Sequence, residues 1–370
     1  MNPYIVAFAV TLLASIGLLL SQGWHGRFSM DGTEGVQKHH TEPTPRIGGV
    51  AIALGLINAW ALAAPAVRAI LGPMLLAGIP AFAWGLAEDC TDKVRVLHRL
   101  LATMCSGLLA WSLTGVAMQA TGLPPLDWLL GFTPVAVLFT AVAVGGVANA
   151  INIIDGFNGL ASGALIIMLA AMGLIAMSVG DVPVASVCLI VAACTLGFGL
   201  VNWPFGKIFL GDGGAYLLGF LLAWIAVLLP MRSGHVNGWA TMLVCAYPLL
   251  EVAFSVRRRR RRVNHHAWQA DKAHLHHLLH RRVIGMMLPG VSAPLRSGLT
   301  SVLCWLYCLL PAGWAVLFAH DTPMLALGFC LAVFLYAAIY ARLTQFRWCW
   351  SALTVLRAPT RQEAQHDAQP

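Results

Sequence analysis

The chain is 370 residues long, 59% hydrophobic and only 10% charged, with a formal net charge of +8. Soluble domains carry about a quarter of their residues as charges, so this composition excludes one and identifies an integral membrane protein. The basic excess suits anionic headgroups and phosphorylated substrates rather than nucleic acid, and no nucleic-acid partner is expected.

Apolar runs long enough to cross a hydrocarbon core of about 30 Å lie at 3–21, 47–67, 70–87, 98–118, 131–150, 159–178, 183–201, 214–230, 236–254, 299–318 and 322–341. They predict an all-α, polytopic membrane helix bundle of about 11 transmembrane helices. No pattern of alternating ten-residue strands competes with it. The first run lacks the basic n-region and small-residue cleavage site of a signal peptide and reads as a retained helix. The boundary around Arg68 to Pro73 is the least defined, because Gly and Pro are frequent inside membrane helices. With the amino terminus outside, every Lys and Arg of the 23 except Arg68 and Arg232 falls on the inner side, the asymmetry of the positive-inside rule. Residues 1–341 are expected to form one transmembrane domain with a large inner loop, 255–297, and 342–370 an inner-side tail whose polar end is expected to be disordered. The nine cysteines sit mostly within spans, form no CxxC pair and read as small apolar packers.

This topology puts three polar motifs on the inner side. The first, AEDCTD from Ala87 to Asp92, sets Glu88 beside Asp89. Adjacent carboxylates repel, which favours a cation, a shared proton or a cationic substrate; the simpler alternative is that they solvate a helix end beside Lys93 and Arg95. The second, NAINIIDGFNG, repeats Asn149, Asn152, Asp155 and Asn158 every three residues, so a helical start would present them on one face. Such a stripe can grip a polar base or sugar, although Asp155 or Asn158 could equally cap the sixth span. The third, FLGDGG, flanks Asp212 with glycines at the start of the eighth span. Magnesium takes one or two carboxylates together with phosphate oxygens and water, and a helix start attracts phosphate; an ordinary helix cap is the rival. Phe209 can stack on a base or merely pack.

In the long inner loop, His274, His276, His277 and His280 fall within seven residues and can donate to phosphate or sugar oxygens. Zinc is disfavoured, because no Cys accompanies them and no HExxH is present. The run Arg257 to Arg262 is a topology anchor on anionic lipid, or a holder of a lipid phosphate. Glu251, just inside a span end, reads as a snorkelling or Arg-paired residue and receives no role.

Five segments, KHHTEPTPRIGG (38–49), Glu88-Asp89, NAINIIDGFNGL, NWPFGKIFLGDGG and DKAHLHHL, resemble in order, spacing and sidedness the polyprenyl-phosphate N-acetylhexosamine-1-phosphate transferases. The resemblance runs from about residue 3 to residue 341. It implies transfer of a sugar-1-phosphate from a UDP-sugar to undecaprenyl phosphate, with release of UMP, at the cytoplasmic face of a bacterial inner membrane. Mg²⁺ is the implied cofactor, with Mn²⁺ as substitute, and a homodimer is compatible with it. Asp212 becomes the metal ligand, and Glu88 and Asp89 orient the carrier phosphate or help hold the metal. Asn149, Asn152, Asp155, Asn158, Asn202 and Phe209 go to the nucleotide pocket, with Phe209 on the uracil. His274, His276 and His277 contact the diphosphate or amino sugar, and Lys38, His40 and Arg46 are further phosphate contacts. The histidine stretch resembles the branch that transfers N-acetylglucosamine-1-phosphate for surface polysaccharide. It departs from the peptidoglycan-precursor branch, which stays open as an alternative. The family usually has Asp at the positions of Glu88 and Asn158. These departures raise a further alternative, a catalytically weakened assembly partner. An ion-coupled transporter is the rival of another class; the absence of an internal repeat argues against it.

Overall fold

The computed structural model describes residues 2–31, 43–261 and 273–345. It opens with α1 (Pro3–Leu20) and a short α2 (Gln22–Ser29), whose end pairs β1 (Met30–Asp31) antiparallel with β2 (Thr44–Pro45). Then come α3 (Gly48–Leu62), α4 (Pro65–Ala77), α5 (Ile79–Thr91), α6 (Val96–Thr114), α7 (Pro124–Leu130) and α8 (Thr133–Ile154). Next are α9 (Leu160–Ser178), α10 (Val182–Asn202), α11 (Gly211–Arg232), α12 (Gly238–Val244) and α13 (Ala246–Arg261). The chain continues with α14 (Leu275–Leu279), a π-helical turn over His280–Ile284, α15 (Gly285–Met287), α16 (Ala293–Leu317) and α17 (Thr322–Thr344).

Eight of these helices, α1, α6, α8, α9, α10, α11, α16 and α17, are each long and apolar enough to span a membrane. Two further expected spans are broken. The α4–α5 pair bends by 46° and the α12–α13 pair by 76°. Both bends have the same cause. Pro80 and Pro248 each lack an N–H and crowd the carbonyl four residues earlier. The eleventh run is α3, which at 15 residues reaches only about 22 Å. The boundary expected near Arg68–Pro73 lies instead at Ala63–Ala64. Pro73 sits inside α4, and α4 starts at Pro65, where a proline fits the first turn. At the other end α17 continues to Thr344, past the expected boundary at 341; the tail from 346 onward lies outside the described residues.

The core is built around α11, which has Tyr216, Phe220 and Trp224 fully buried. It packs on α8, α5 and α3, and glycines permit the closest approaches. Gly48 and Gly49 donate backbone N–H groups to the carbonyls of Phe209 and Leu210, each at 3.0 Å. Thus α3 begins against the loop that leads into α11. A Cβ on Gly85 would lie 2.6 Å from the backbone carbonyl of Asp212 and from the nitrogen of Gly213. Gly85→Ala is expected to cost about 1–3 kcal/mol and to lower the thermal unfolding midpoint in detergent; an unchanged midpoint would contradict this packing.

Candidate active site

The site lies at one end of the bundle, where α5 and α8 finish and α6 and α11 start. Its centre is the first turn of α11, whose backbone N–H groups need acceptors. Asp89 provides them. Its Oδ1 accepts the N–H of Asp212 at 2.8 Å and its Oδ2 that of Gly213 at 2.8 Å. The side chain is buried. A cap was expected as the plain alternative for Asp212 itself, but the capping residue comes from another helix. Gly211, at φ 72°, makes the turn into α11. A side chain there would strike the carbonyl of Arg46 and the Asp89 carboxylate, so only glycine serves.

With Asp89 occupied by the backbone, the Asp212 carboxylate turns to other partners. Its Oδ1 accepts from Asn152 Nδ2 at 2.9 Å, and its Oδ2 pairs with the Arg99 guanidinium. Tyr216 steadies Asn152 from below, its hydroxyl donating to Oδ1 at 3.3 Å. Arg99 also approaches Glu88 Oε1 at 3.9 Å, while Glu88 Oε2 accepts the Val94 N–H at 2.7 Å. Arg46 crosses the end of α5. It donates to the carbonyls of Asp89 (3.1 Å) and Glu88 (2.7 Å) and pairs with Asp92 at 2.8 Å. Two arginines therefore face a group of carboxylates on one small surface, a setting that can take up phosphate charge. Arg99 was counted in the sequence only as an inner-side basic residue. Its signal was available, since it stands within the first turn of α6, where a charge at a span end needs a partner.

The expected stripe is only partly realised. Asn149 and Asn152 occupy the last two turns of α8, not a helix start, and Asp155 is the C-cap residue that follows. Asn158 points elsewhere. Its Nδ2 donates to the carbonyls of Pro204 (3.0 Å) and Pro294 (3.2 Å), and its backbone is gripped by Ser297 and Ser301 of α16. Asn202 is likewise spent on the backbone, accepting from Gly159 N at 2.6 Å and donating to Ile208 O at 2.7 Å. Both residues hold loops in place, a role their spacing did not reveal. The Asn at 158 is also explained, because a carboxylate there would face two carbonyls with no proton to donate.

Asp155 is partly open at its surface but otherwise walled in by protein. Burial, and then the negative charge of Asp89, push its carboxyl up from an ordinary value of 3.8 to about 7. The folded state therefore binds more protons than the unfolded state between these values, so stability falls as pH rises through that window and levels off above it. Asp155→Asn removes this burden. The variant should gain stability relative to wild type between pH 4 and pH 8 by on the order of 2–4 kcal/mol. Thermal midpoints at the two pH values test this; an identical difference at both would refute it.

The histidines close over the same loop. His274, His276 and His277 are all buried, and the rings of His276, His277 and His280 surround Phe157 at 5.0–5.5 Å. Nε2 of His276 looks toward Gly156, 4.0 Å from where a Cβ would stand. Behind them lies Glu251, fully enclosed on α13. Its Oε2 accepts from His274 Nδ1 at 3.0 Å and Leu275 N at 3.2 Å, and its Oε1 lies 3.3 Å from His276 Nδ1. The expectation of a snorkelling or Arg-paired residue is corrected: Glu251 points inward and its partners are histidines. Sequence separation hid this, since α13 and α14 meet only in three dimensions.

Phe209 is half-buried, with its backbone bonded to Pro45 O at 2.8 Å and Gly48 N at 3.0 Å, so it borders the carboxylate group from the α3 side. Lys38 and His40 lie outside the described residues. For a metal, the donor chemistry is oxygen-based, centred on Asp212. Among the described residues no group of three His, Cys, Asp or Glu side chains gathers to hold an ion unaided.

Residues 71–230 match the family described as glycosyl transferase family 4. Among curated proteins, the chain is similar to the decaprenyl-phosphate N-acetylglucosaminephosphotransferase of Mycobacterium leprae, 30% identical over 289 residues, covering 66% of this chain and 70% of the relative. It is similar to a probable undecaprenyl-phosphate N-acetylglucosaminyl 1-phosphate transferase of Bacillus subtilis, 29% identical, covering 66% and 67%. The undecaprenyl-phosphate alpha-N-acetylglucosaminyl 1-phosphate transferase of Salmonella typhi is 27% identical over 317 residues, covering 81% and 80%.

Proposed function

This chain belongs to glycosyl transferase family 4, and from that premise we propose that it transfers N-acetylglucosamine-1-phosphate from a UDP-sugar to a polyprenyl phosphate, releasing UMP. The observation that carries the reading is the convergence of Asp212, Asn152, Glu88, Arg99 and Arg46 on one surface beside the histidine-lined loop.

An oxygen of the carrier phosphate attacks the sugar-bearing phosphorus of the donor, and the bond to the bridging oxygen of UMP breaks. One phosphoanhydride replaces another, so the step is close to thermoneutral and reversible. A phosphate monoester has its second pKa at about 6 and needs no strong base. Positioning and charge neutralisation dominate. Arg99 and Arg46 lie where they can neutralise phosphate oxygens. Asn152 and Phe209 are assigned to the nucleotide, and His276 and His277 to the diphosphate or amino sugar. Asp212 would hold Mg²⁺, which when bound screens the diphosphate charge. Asp89 acts by holding the first turn of α11. An apolar groove of about 520 Å³ beside the α12–α13 bend, lined by Phe139, Val147, Ala226, Trp239 and Leu249 among others, suits a prenyl chain.

The basic residues support a cytoplasmic site in a bacterial inner membrane, since the topology read from the apolar runs puts all but two of them on the side of these motifs. Nothing favours an ion-coupled transporter, because Glu251, the one acidic residue within an expected span, lies near the span's end and is bonded to His274 and paired with His276 of this site. The test is exchange of labelled UMP into UDP-N-acetylglucosamine by the purified protein. Exchange that requires both polyprenyl phosphate and Mg²⁺ is expected; none under any divalent ion, with intact protein, would sink the reading.

A further inference from the structure

We propose that Glu251 is a positioning residue that fixes the tautomer of His276, and thereby the face His276 offers to the donor diphosphate or sugar. The inference deepens the functional reading above and rests on it for its catalytic consequence.

The geometry is that of a buried carboxylate beneath two imidazoles. Glu251 Oε2 takes the Nδ1 edge of His274 at 3.0 Å together with the Leu275 N–H at 3.2 Å, and Oε1 faces Nδ1 of His276 at 3.3 Å. The His274 and His276 rings lie parallel, 6° apart with centroids at 5.3 Å, so one carboxylate serves both. A carboxylate accepts and does not donate. The proton of a neutral His276 is therefore held at Nδ1, and Nε2, the nitrogen turned toward Gly156, is left as an acceptor. When the ring is protonated, the same carboxylate balances the charge and Nε2–H becomes a donor to phosphate. Tyr247 reaches the same Nδ1 through its hydroxyl at 3.3 Å but can act there as donor or acceptor, so it does not select the tautomer.

Glu251→Gln separates this role from mere packing. The amide oxygen can keep the bonds to Leu275 N and His274 at the Oε2 position. The NH₂ group then falls opposite His276 Nδ1, where two donors would meet, and the ring escapes by moving its proton to Nε2. Nitrogen-15 spectra of histidine-labelled protein in bilayers read this directly, with the His276 signals assigned by their absence in His276→Ala. The expected result is an Nδ1–H ring in wild type and an Nε2–H ring in Glu251→Gln; the same tautomer in both overturns the proposal, whatever the enzyme's substrate.

In the exchange assay, Glu251→Gln should lower kcat about 100-fold. The loss should be non-additive with His276→Ala, so that the double variant is no slower than His276→Ala alone. Additive losses would mean that Glu251 acts elsewhere. Should Glu251→Gln fail to fold, Glu251→Asp, which keeps the charge on a shorter arm, enters the same cycle with the same criterion. Wild-type protein without exchange activity would count against the proposed reaction, while the spectra would still decide the tautomer.

Discussion

Asp212→Asn is expected to abolish turnover, with a loss of at least about 1,000-fold in UMP exchange, while the thermal midpoint stays within a few degrees of wild type. The reason is the division of labour at the first turn of α11. The structural bond of Asp212 runs through its backbone N–H to Asp89 and is untouched by the substitution. The side chain makes only site contacts, with Asn152 and Arg99. Removing its charge leaves Arg99 beside a neutral amide and takes away the carboxylate proposed to hold Mg²⁺. A further readout separates metal from positioning: raising Mg²⁺ or supplying Mn²⁺ should not rescue the variant, since the missing group is the ligand. Exchange at the wild-type rate would remove Asp212 from the mechanism.

Asp89→Asn is expected to reduce activity by about 100-fold or more and, unlike Asp212→Asn, to destabilise the fold. Both Asp89 oxygens accept backbone N–H groups from α11. Asparagine offers one acceptor and one donor, so one N–H of the buried turn is left facing an NH₂ group. An orphaned buried donor costs about 1–3 kcal/mol. The measurement is paired: thermal midpoint and exchange rate on the same preparation. A fall in rate with an unchanged midpoint would mean that Asp89 acts on substrate rather than on the α11 turn. The two aspartates, both candidates for direct chemistry from the sequence, are thus distinguished by where their losses appear.

The departures at Glu88 and Asn158 take on a physical meaning. The longer arm of Glu88 reaches the Val94 N–H and tethers the loop after α5, while keeping its other oxygen toward Arg99. Asn158 donates to two carbonyls that a carboxylate would repel. Both residues fit their surroundings, so the structure lends no support to a weakened enzyme.

Much of this protein was determined by sequence alone, for reasons that are local. A membrane core sets a minimum length of apolar chain, so eleven runs were countable. Glycine-flanked and paired carboxylates at the ends of those runs marked the site segments, because ionisable groups there require a function or a partner. What the tertiary structure decided is which groups meet. Asp89 caps a helix that begins more than a hundred residues later, Arg99 pairs with Asp212, Asn158 and Asn202 bond to the backbone of distant loops, and Glu251 lies under the histidines. Hydrogen bonding and charge pairing act over a few ångströms in space, and the separation along the chain between those partners carries no trace of it. The bends at Pro80 and Pro248 and the early end of α3 break the expected spans, and hydropathy does not register them, because a proline interrupts a helix without interrupting the apolar run.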